Sequence, residues 1–346
     1  MTSASTSPRP LRKAVLPVAG FGTRVLPATK AIPKEMLPVF DRPAIQYVVD
    51  EALAAGIEHI VFVTGRNKGA IEDYFDRSYE LEVTLQAKQK TEQLAEIAES
   101  VRAAGSMSFV RQQAALGLGH AVWCARDIIG NEPFAVMLPD MLMMAKPSCL
   151  AQMVDAYNKV GGNIIAVEPT DTPERYGVIT PESRDGRLIK MKGMVEKPKR
   201  EDAPSNLFIS GRYILQPEIF ELLESQGPGA GNEIQLTDSM VRLMAQQTFH
   251  ALEYEGTTYD CGDKVGYMQA AAAYALANAE HGDNVERCCA ICSPSAGNDR
   301  DSHVRNARGA DAGDSVAHRG RHKRWNFRAR RSVCRAVWRR DARARV

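Results

Sequence analysis

The chain has 346 residues, 44% of them hydrophobic, and carries 44 Lys and Arg against 42 Asp and Glu. That is enough apolar material for one large α/β domain or two smaller ones, and no apolar run approaches the roughly eighteen residues that span a bilayer. The near-neutral total hides an uneven distribution, since residues 285–346 hold 16 Lys and Arg against 6 Asp and Glu, which leaves a mildly acidic body of the kind usual for a soluble enzyme.

Residues 1–12 are rich in Ser, Thr and Pro and include Arg9 and Arg12. They lack the apolar centre of a signal peptide and read as a disordered, cytoplasmic start. The seven cysteines form no evident disulfide framework, and a cytosolic protein would keep them reduced.

Residues 14–18 form a short apolar run that reads as a first buried strand. Ala19-Gly20-Phe21-Gly22-Thr23-Arg24 follows at once. Gly20 and Gly22 let backbone N–H groups approach an anion closely, Thr23 adds a hydroxyl donor, and Arg24 offers a planar fork suited to phosphate oxygens. Pro27, Pro33 and Pro38 keep the segment from becoming one long helix, and they hold Lys30 and Lys34 on a stiffened loop nearby. The loop fits neither neighbouring glycine motif. The third Gly of a dinucleotide fingerprint is missing, and so is the Gly-Lys-Ser/Thr of a P-loop.

Further along, apolar runs end near Val63, Val110, Met137 and Val167. Helical patterns are predicted at 44–55, 67–75, 87–103, 118–127 and 149–160. Strands separated by helices predict a mainly parallel sheet covered on both faces, with ligands beyond the carboxyl ends of its strands. The loops 19–24, 112–119 and 138–141 should therefore meet. Asp140 follows one apolar run and Asp260 precedes Cys261-Gly262. Two carboxylates from distant segments can hold one Mg²⁺ that bridges nucleotide phosphates, although either Asp alone would more often be a turn or cap residue. Glu196-Lys197 ends another apolar stretch, where a solvated surface pair is the common outcome.

The order of these motifs resembles the sugar nucleotidylyltransferases. Residues 17–43 carry the signature, and Val110-Arg111-Gln112, Gly117-Leu118-Gly119-His120-Ala121, Leu138-Pro139-Asp140, Tyr176-Gly177-Val178, Val195-Glu196-Lys197-Pro198, residues 232–238 and Asp260-Cys261-Gly262 follow in the family's order. Lys30 and Pro33-Lys34-Glu35 point to the branch that uses UTP and glucose 1-phosphate. The resemblance implies a Rossmann-like nucleotidyltransferase fold with a mixed, mainly parallel sheet. It also implies Mg²⁺ dependence, UDP-glucose and pyrophosphate as products, and a homodimer or homotetramer.

Residue by residue, the resemblance makes Arg24, Lys34 and Lys197 catalytic and Asp140 and Asp260 metal ligands. Ala19, Gly20, Gly22, Thr23 and Glu35 fall to the nucleotide. Gln112 and Gly117 read uracil, while Gly177, Glu196 and Ile209 line the sugar pocket. Gln113 and Leu116 depart from the pattern, where a small residue and a Lys are more usual. His120 reads as a cap or packing residue. Alternatives are a relative using dTTP or another sugar 1-phosphate, and a non-catalytic nucleotide-sugar sensor.

The resemblance ends near Asn284, giving a nucleotidyltransferase domain at 13–284. Residues 285–346 read as a disordered or frame-shifted tail rather than a nucleic-acid-binding module, and Cys288-Cys289-x-x-Cys292 lacks the paired spacing of a zinc finger.

Overall fold

The computed structural model describes residues 8–292. In chain order its strands are β1 (Lys13–Pro17), the ribbon β2 (Pro38–Val39) and β3 (Arg42–Pro43), β4 (His59–Thr64), β5 (Met107–Arg111), β6 (Phe134–Met137), β7 (Met141–Met144), β8 (Asn163–Pro169), β9 (Gly177–Asp185), β10 (Leu188–Glu196), β11 (Leu207–Leu215), β12 (Phe249–Glu253) and β13 (Thr257–Asp260). The main sheet runs β5-β4-β1-β6-β11-β8-β12-β10-β9, and β7 pairs separately with β13.

The expected parallel block is present. β1 lies parallel between β4 and β6, β5 extends the block, and β12 pairs parallel with β8. Ala14, Val15 and Leu16 are fully buried, as a strand covered on both faces requires. Antiparallel pairing enters through β11, which sits between β6 and β8, and through the hairpin β9–β10. The hairpin turn contains Gly186 at φ 57°, and so short a connection leaves no room for a parallel crossover. All nine residues of β11 are buried.

Helices cover both faces. Val15, Val61, Val63 and Val136 share a core with Ala121, Val122, Phe220, Leu236 and Met240. These come from the helices Leu118–Trp123, Ile219–Glu224 and Leu236–Met244. On the other face, Arg212 of β11 reaches Glu51 in the helix Ala44–Ala54, which buries Ile45, Val48, Val49 and Ala52 at helical spacing. The helix Cys149–Val160 stands where expected, with Ser148 as its cap. The helix expected over 87–103 is instead a pair, Tyr79–Ala87 and Thr91–Ala98. Between them Gln89 adopts φ 54°, which no α-helix accommodates.

The start is anchored sooner than expected. Tyr157 donates to the carbonyl of Arg9 at 2.9 Å, and Arg12 pairs with Glu132 at 3.1 Å. The expectation of disorder is thus corrected for residues 8–12.

A second unit begins at Ala272, within the helix Lys264–Ala277. There the Asn278 Oδ1 accepts from the N–H groups of Glu280 and His281, and the helix Gly282–Cys292 follows. That helix runs past residue 284, the expected end of the nucleotidyltransferase domain, so residues 285–292 of the expected tail are helical. The remainder of the tail, 293–346, lies outside the described residues. Among the described residues no helix is long and apolar enough to cross a membrane.

Candidate active site

The loop after β1 is held open by a left-handed residue. Gly22 lies at φ 65°, ψ 31°, and its carbonyl accepts the Thr29 hydroxyl at 2.8 Å. A Cβ there would stand 3.2 Å from the Cβ of Lys34 and the Cγ2 of Thr29, so glycine brings the loop onto the Lys34 segment. Gly20 and Thr23 are exposed at its rim. Ala19 supports it from below, because Gly65, after β4, packs with its Cβ direction 3.1 Å from the Ala19 carbonyl.

Lys34 Nζ lies 2.6 Å from Asp140 Oδ2, and Arg24 reaches the same oxygen at 3.8 Å and Asp260 Oδ2 at 4.0 Å. Asp140 stands in the turn between β6 and β7. Asp260 ends β13, which pairs with β7 so that Asp260 faces Met141. Two segments 120 residues apart are brought side by side. A Cβ on Gly262 would lie 2.5 Å from Arg24 Nη2, 2.8 Å from Asp260 Oδ1 and 2.9 Å from Asp140 Oδ2.

The electrostatics follow from this crowding. Burial opposes the charge on Asp140, but Lys34 and Arg24 outweigh it and hold its carboxyl below the ordinary range. Burial and the neighbouring Asp140 charge push the Asp260 carboxyl up. Burial likewise opposes the charge on Lys34, and Asp140 and Glu35 more than compensate. Two hard oxygen donors sharing a buried spot, with like-charge repulsion unrelieved at one of them, fit Mg²⁺, which takes one or two carboxylates and completes its shell with water and phosphate oxygens.

On the far side of β1, Gln112 follows β5. Its Nε2 donates to the Gly117 carbonyl at 3.1 Å and stands 3.1 Å from His120 Nδ1. Gly117 adopts φ 103°, and a Cβ there would meet Glu233 Cβ and the Ile234 carbonyl at 2.8 Å. Backbone bonds from Ile234 N to the Leu116 carbonyl and from Gly119 N to the Ile234 carbonyl fasten this loop to residues 233–234. Gln113 and Leu116 are exposed.

A Nucleotidyl transferase family model matches residues 13–276. The chain belongs to the nucleotidyl transferase family. The UTP–glucose-1-phosphate uridylyltransferase of Bacillus subtilis is 49% identical over 277 residues, which is 80% of this chain and 94% of that protein. A UTP-bound UGPase from Acinetobacter baumannii is 44% identical with a TM-score of 0.77, covering 82% of this chain and 100% of that one. A UDP-glucose pyrophosphorylase complexed with UDP-glucose is 45% identical with a TM-score of 0.69, covering 78% of this chain and 100% of that one.

In this nucleotidyl transferase the three residues expected at the sugar also come together. Gly177 pairs with Glu196 across β9 and β10. A Cβ on Gly177 would stand 3.0 Å from Glu196 Oε2 and 3.3 Å from Ile209 Cδ1. Ile209 itself is buried. Lys197 takes φ 45°, donates its N–H to the Tyr176 carbonyl at 3.1 Å, and lies with Nζ 3.7 Å from Glu196. Its side chain is 65% exposed, so the ammonium is free to reach into solvent. Sheet order thus lays out Gln112 after β5, Gly20 after β1, Asp140 after β6 and Ile209 in β11.

The structure corrects one assignment. Glu35 is sealed from solvent and paired at 2.8 Å with Lys68, itself nearly buried. Burial pushes the Glu35 carboxyl up despite Lys68 and Lys34. Its side chain therefore braces the loop after β4 against the Lys34 turn instead of facing a nucleotide. No motif pointed to Lys68, which lies 33 residues away. Thr237, whose hydroxyl donates to Glu196 Oε2 at 3.0 Å, was visible only within the 232–238 motif, with no role. Arg175 pairs with Asp263 at 3.0 Å and so fastens the turn before Gly177 to the loop after Asp260.

Proposed function

We propose that this chain joins UTP and α-D-glucose 1-phosphate into UDP-glucose and pyrophosphate. The observation that carries the reading is the layout of the site along one sheet edge. A base-edge amide comes first, then a glycine loop with fixed cations, then a pair of carboxylates, then a carboxylate in a glycine-lined pocket. That is the order of base, phosphates and sugar in a nucleoside diphosphate sugar. The relatives named above support it.

In the proposed reaction an oxygen of glucose 1-phosphate attacks the α-phosphorus of UTP in line. The new P–O bond forms as the bond to pyrophosphate breaks, so no protein nucleophile is needed. Arg24 donates to phosphate oxygens from the rim of the loop. Lys34 supplies a fixed charge beneath it, and the exposed Lys197 ammonium neutralises the incoming sugar phosphate. Glu196, oriented by Thr237, accepts from sugar hydroxyls. Asp140 and Asp260 would hold Mg²⁺, which would supply positive charge against the phosphates. The same reading expects a cytoplasmic enzyme that assembles as a dimer or tetramer.

A coupled pyrophosphate-release assay across UTP, dTTP, CTP and ATP with several sugar 1-phosphates tests the proposal. UTP with glucose 1-phosphate should give the highest kcat/KM. A preference for dTTP, or no turnover with any pair, would overturn it.

A further inference from the structure

We infer that His120 fixes which end of the Gln112 amide faces the base, and thereby sets a preference for uracil over cytosine. The inference rests on the uridylyl reading above.

A primary amide nitrogen has two protons. On Gln112 both have acceptors, the Gly117 carbonyl at 3.1 Å and His120 Nδ1 at 3.1 Å. The Gly117 carbonyl is shared, because it also accepts the helical N–H of Ala121 at 3.1 Å. His120 Nδ1 is thus the second acceptor that keeps the NH₂ end turned inward and Oε1 turned out.

An outward Oε1 can only accept. Uracil offers a donor at N3, whereas cytosine carries a lone pair there and repels the same oxygen. If the amide turned over, the NH₂ would face outward and the preference would reverse. The discrimination depends on His120 holding its proton on Nε2.

Its surroundings keep the ring neutral, as that state requires. The ring lies tilted against Trp123 at 5.7 Å between centroids, and the Arg126 guanidinium lies over the Trp123 ring at 3.7 Å. Burial and the Arg126 charge both disfavour a protonated imidazole. Cys124 Sγ, 3.8 Å from Nδ1, is a further neighbour on the same helical turn. His120 makes no claim on the substrate itself, so it is a positioning residue.

The test is calorimetric binding of UTP and CTP to the full chain. His120→Phe keeps the ring on Trp123 and removes the acceptor. The ratio of the two dissociation constants should shift toward CTP by about fivefold or more, the value of one net hydrogen bond. His120→Asn, whose Oδ1 can take the place of Nδ1, should restore the ratio. In a Gln112→Ala background, His120→Phe should leave the ratio where Gln112→Ala put it. A purely structural role would weaken both nucleotides equally and leave the ratio unmoved, and that result overturns the inference. Should His120→Phe fail to fold, His120→Ala is read in the same way. If the unaltered chain makes no UDP-glucose from UTP, the underlying reading falls and this inference with it. If it does and the ratio stays fixed, the inference alone fails.

Discussion

Arg212, with no solvent exposure, donates to both oxygens of Glu51, at 2.8 Å from Nη2 to Oε2 and 3.3 Å from Nε to Oε1. Its remaining protons go to the carbonyls of Gly211 at 3.2 Å, Leu138 at 3.0 Å and Met141 at 2.9 Å. The Leu138 and Met141 carbonyls stand on either side of Asp140. A buried ion pair thus frames the turn that carries a candidate metal ligand.

Removing one member of such a pair strands a buried charge, which typically costs about 3–5 kcal/mol. Arg212→Ala should lose about that much in equilibrium urea unfolding, with Leu138 and Met141 carbonyls left unpaired as well. Glu51→Gln leaves the Arg212 charge buried without its counter-charge and should cost a comparable amount. A loss under about 1 kcal/mol in Arg212→Ala would show that water or a neighbour replaces the guanidinium.

Asp140→Asn and Asp260→Asn each remove one charge from the proposed Mg²⁺ site with little change of shape. Loss of a metal carboxylate is worth several kcal/mol in the transition state, so kcat should fall by roughly 10²-fold or more in each. Steady-state rates over a Mg²⁺ titration check this. The midpoint should move to higher metal concentration, and an unmoved midpoint with near-normal turnover would remove both residues from the metal site.

Gly177→Ala would put a methyl 3.0 Å from Glu196 Oε2 and 3.3 Å from Ile209 Cδ1. Both neighbours belong to the sugar pocket and neither to the base loop. KM for glucose 1-phosphate should rise about tenfold, on the scale of a misfitted methyl group, while KM for UTP changes little. A comparable rise for both substrates would mean the strand pairing itself is disturbed.

Stability should fall on mild acidification because of two histidines. Burial, reinforced by Lys190, depresses the ionisation of His250, whose Nδ1 is buried without a hydrogen-bond partner. Burial and Arg126 do the same for His120. A base with a lowered folded pKa binds fewer protons folded than unfolded. Its contribution is present above the unfolded value of about 6.5 and is lost as pH drops through the folded value. Thermal melts should therefore show Tm declining below about pH 6.5, and His250→Gln should flatten the decline. An identical slope in the variant would acquit His250.

The phosphate loop could be read from the chain because its information is local. Glycines, an arginine and three prolines within the nineteen residues from Gly20 to Pro38 fix backbone and charge together. Asp140 was legible for a similar reason, as a carboxylate at the end of the apolar run Phe134–Met137. The Glu35–Lys68 and Arg212–Glu51 pairs were not legible, because partners 33 and 161 residues apart leave no trace in spacing. β11 misleads in another way. Its entirely buried sequence is what a central parallel strand would show, and direction is set by the connections, not by composition. Gln89 broke an expected helix without any glycine or proline to announce it.

Gly262 supplies no charge, no hydroxyl and no ring, and yet it sits where three charged side chains converge. Gly266, one helical turn later, abuts the Asp260 carbonyl so closely that no β-carbon fits there either. In a saturation scan these two positions should be as intolerant as Asp260 itself. Natural variation at this end of the site is then confined by volume as much as by chemistry, and a designer seeking new nucleotide specificity should work from Gln113 and Leu116 in the Gln112 loop, whose side chains still have somewhere to go.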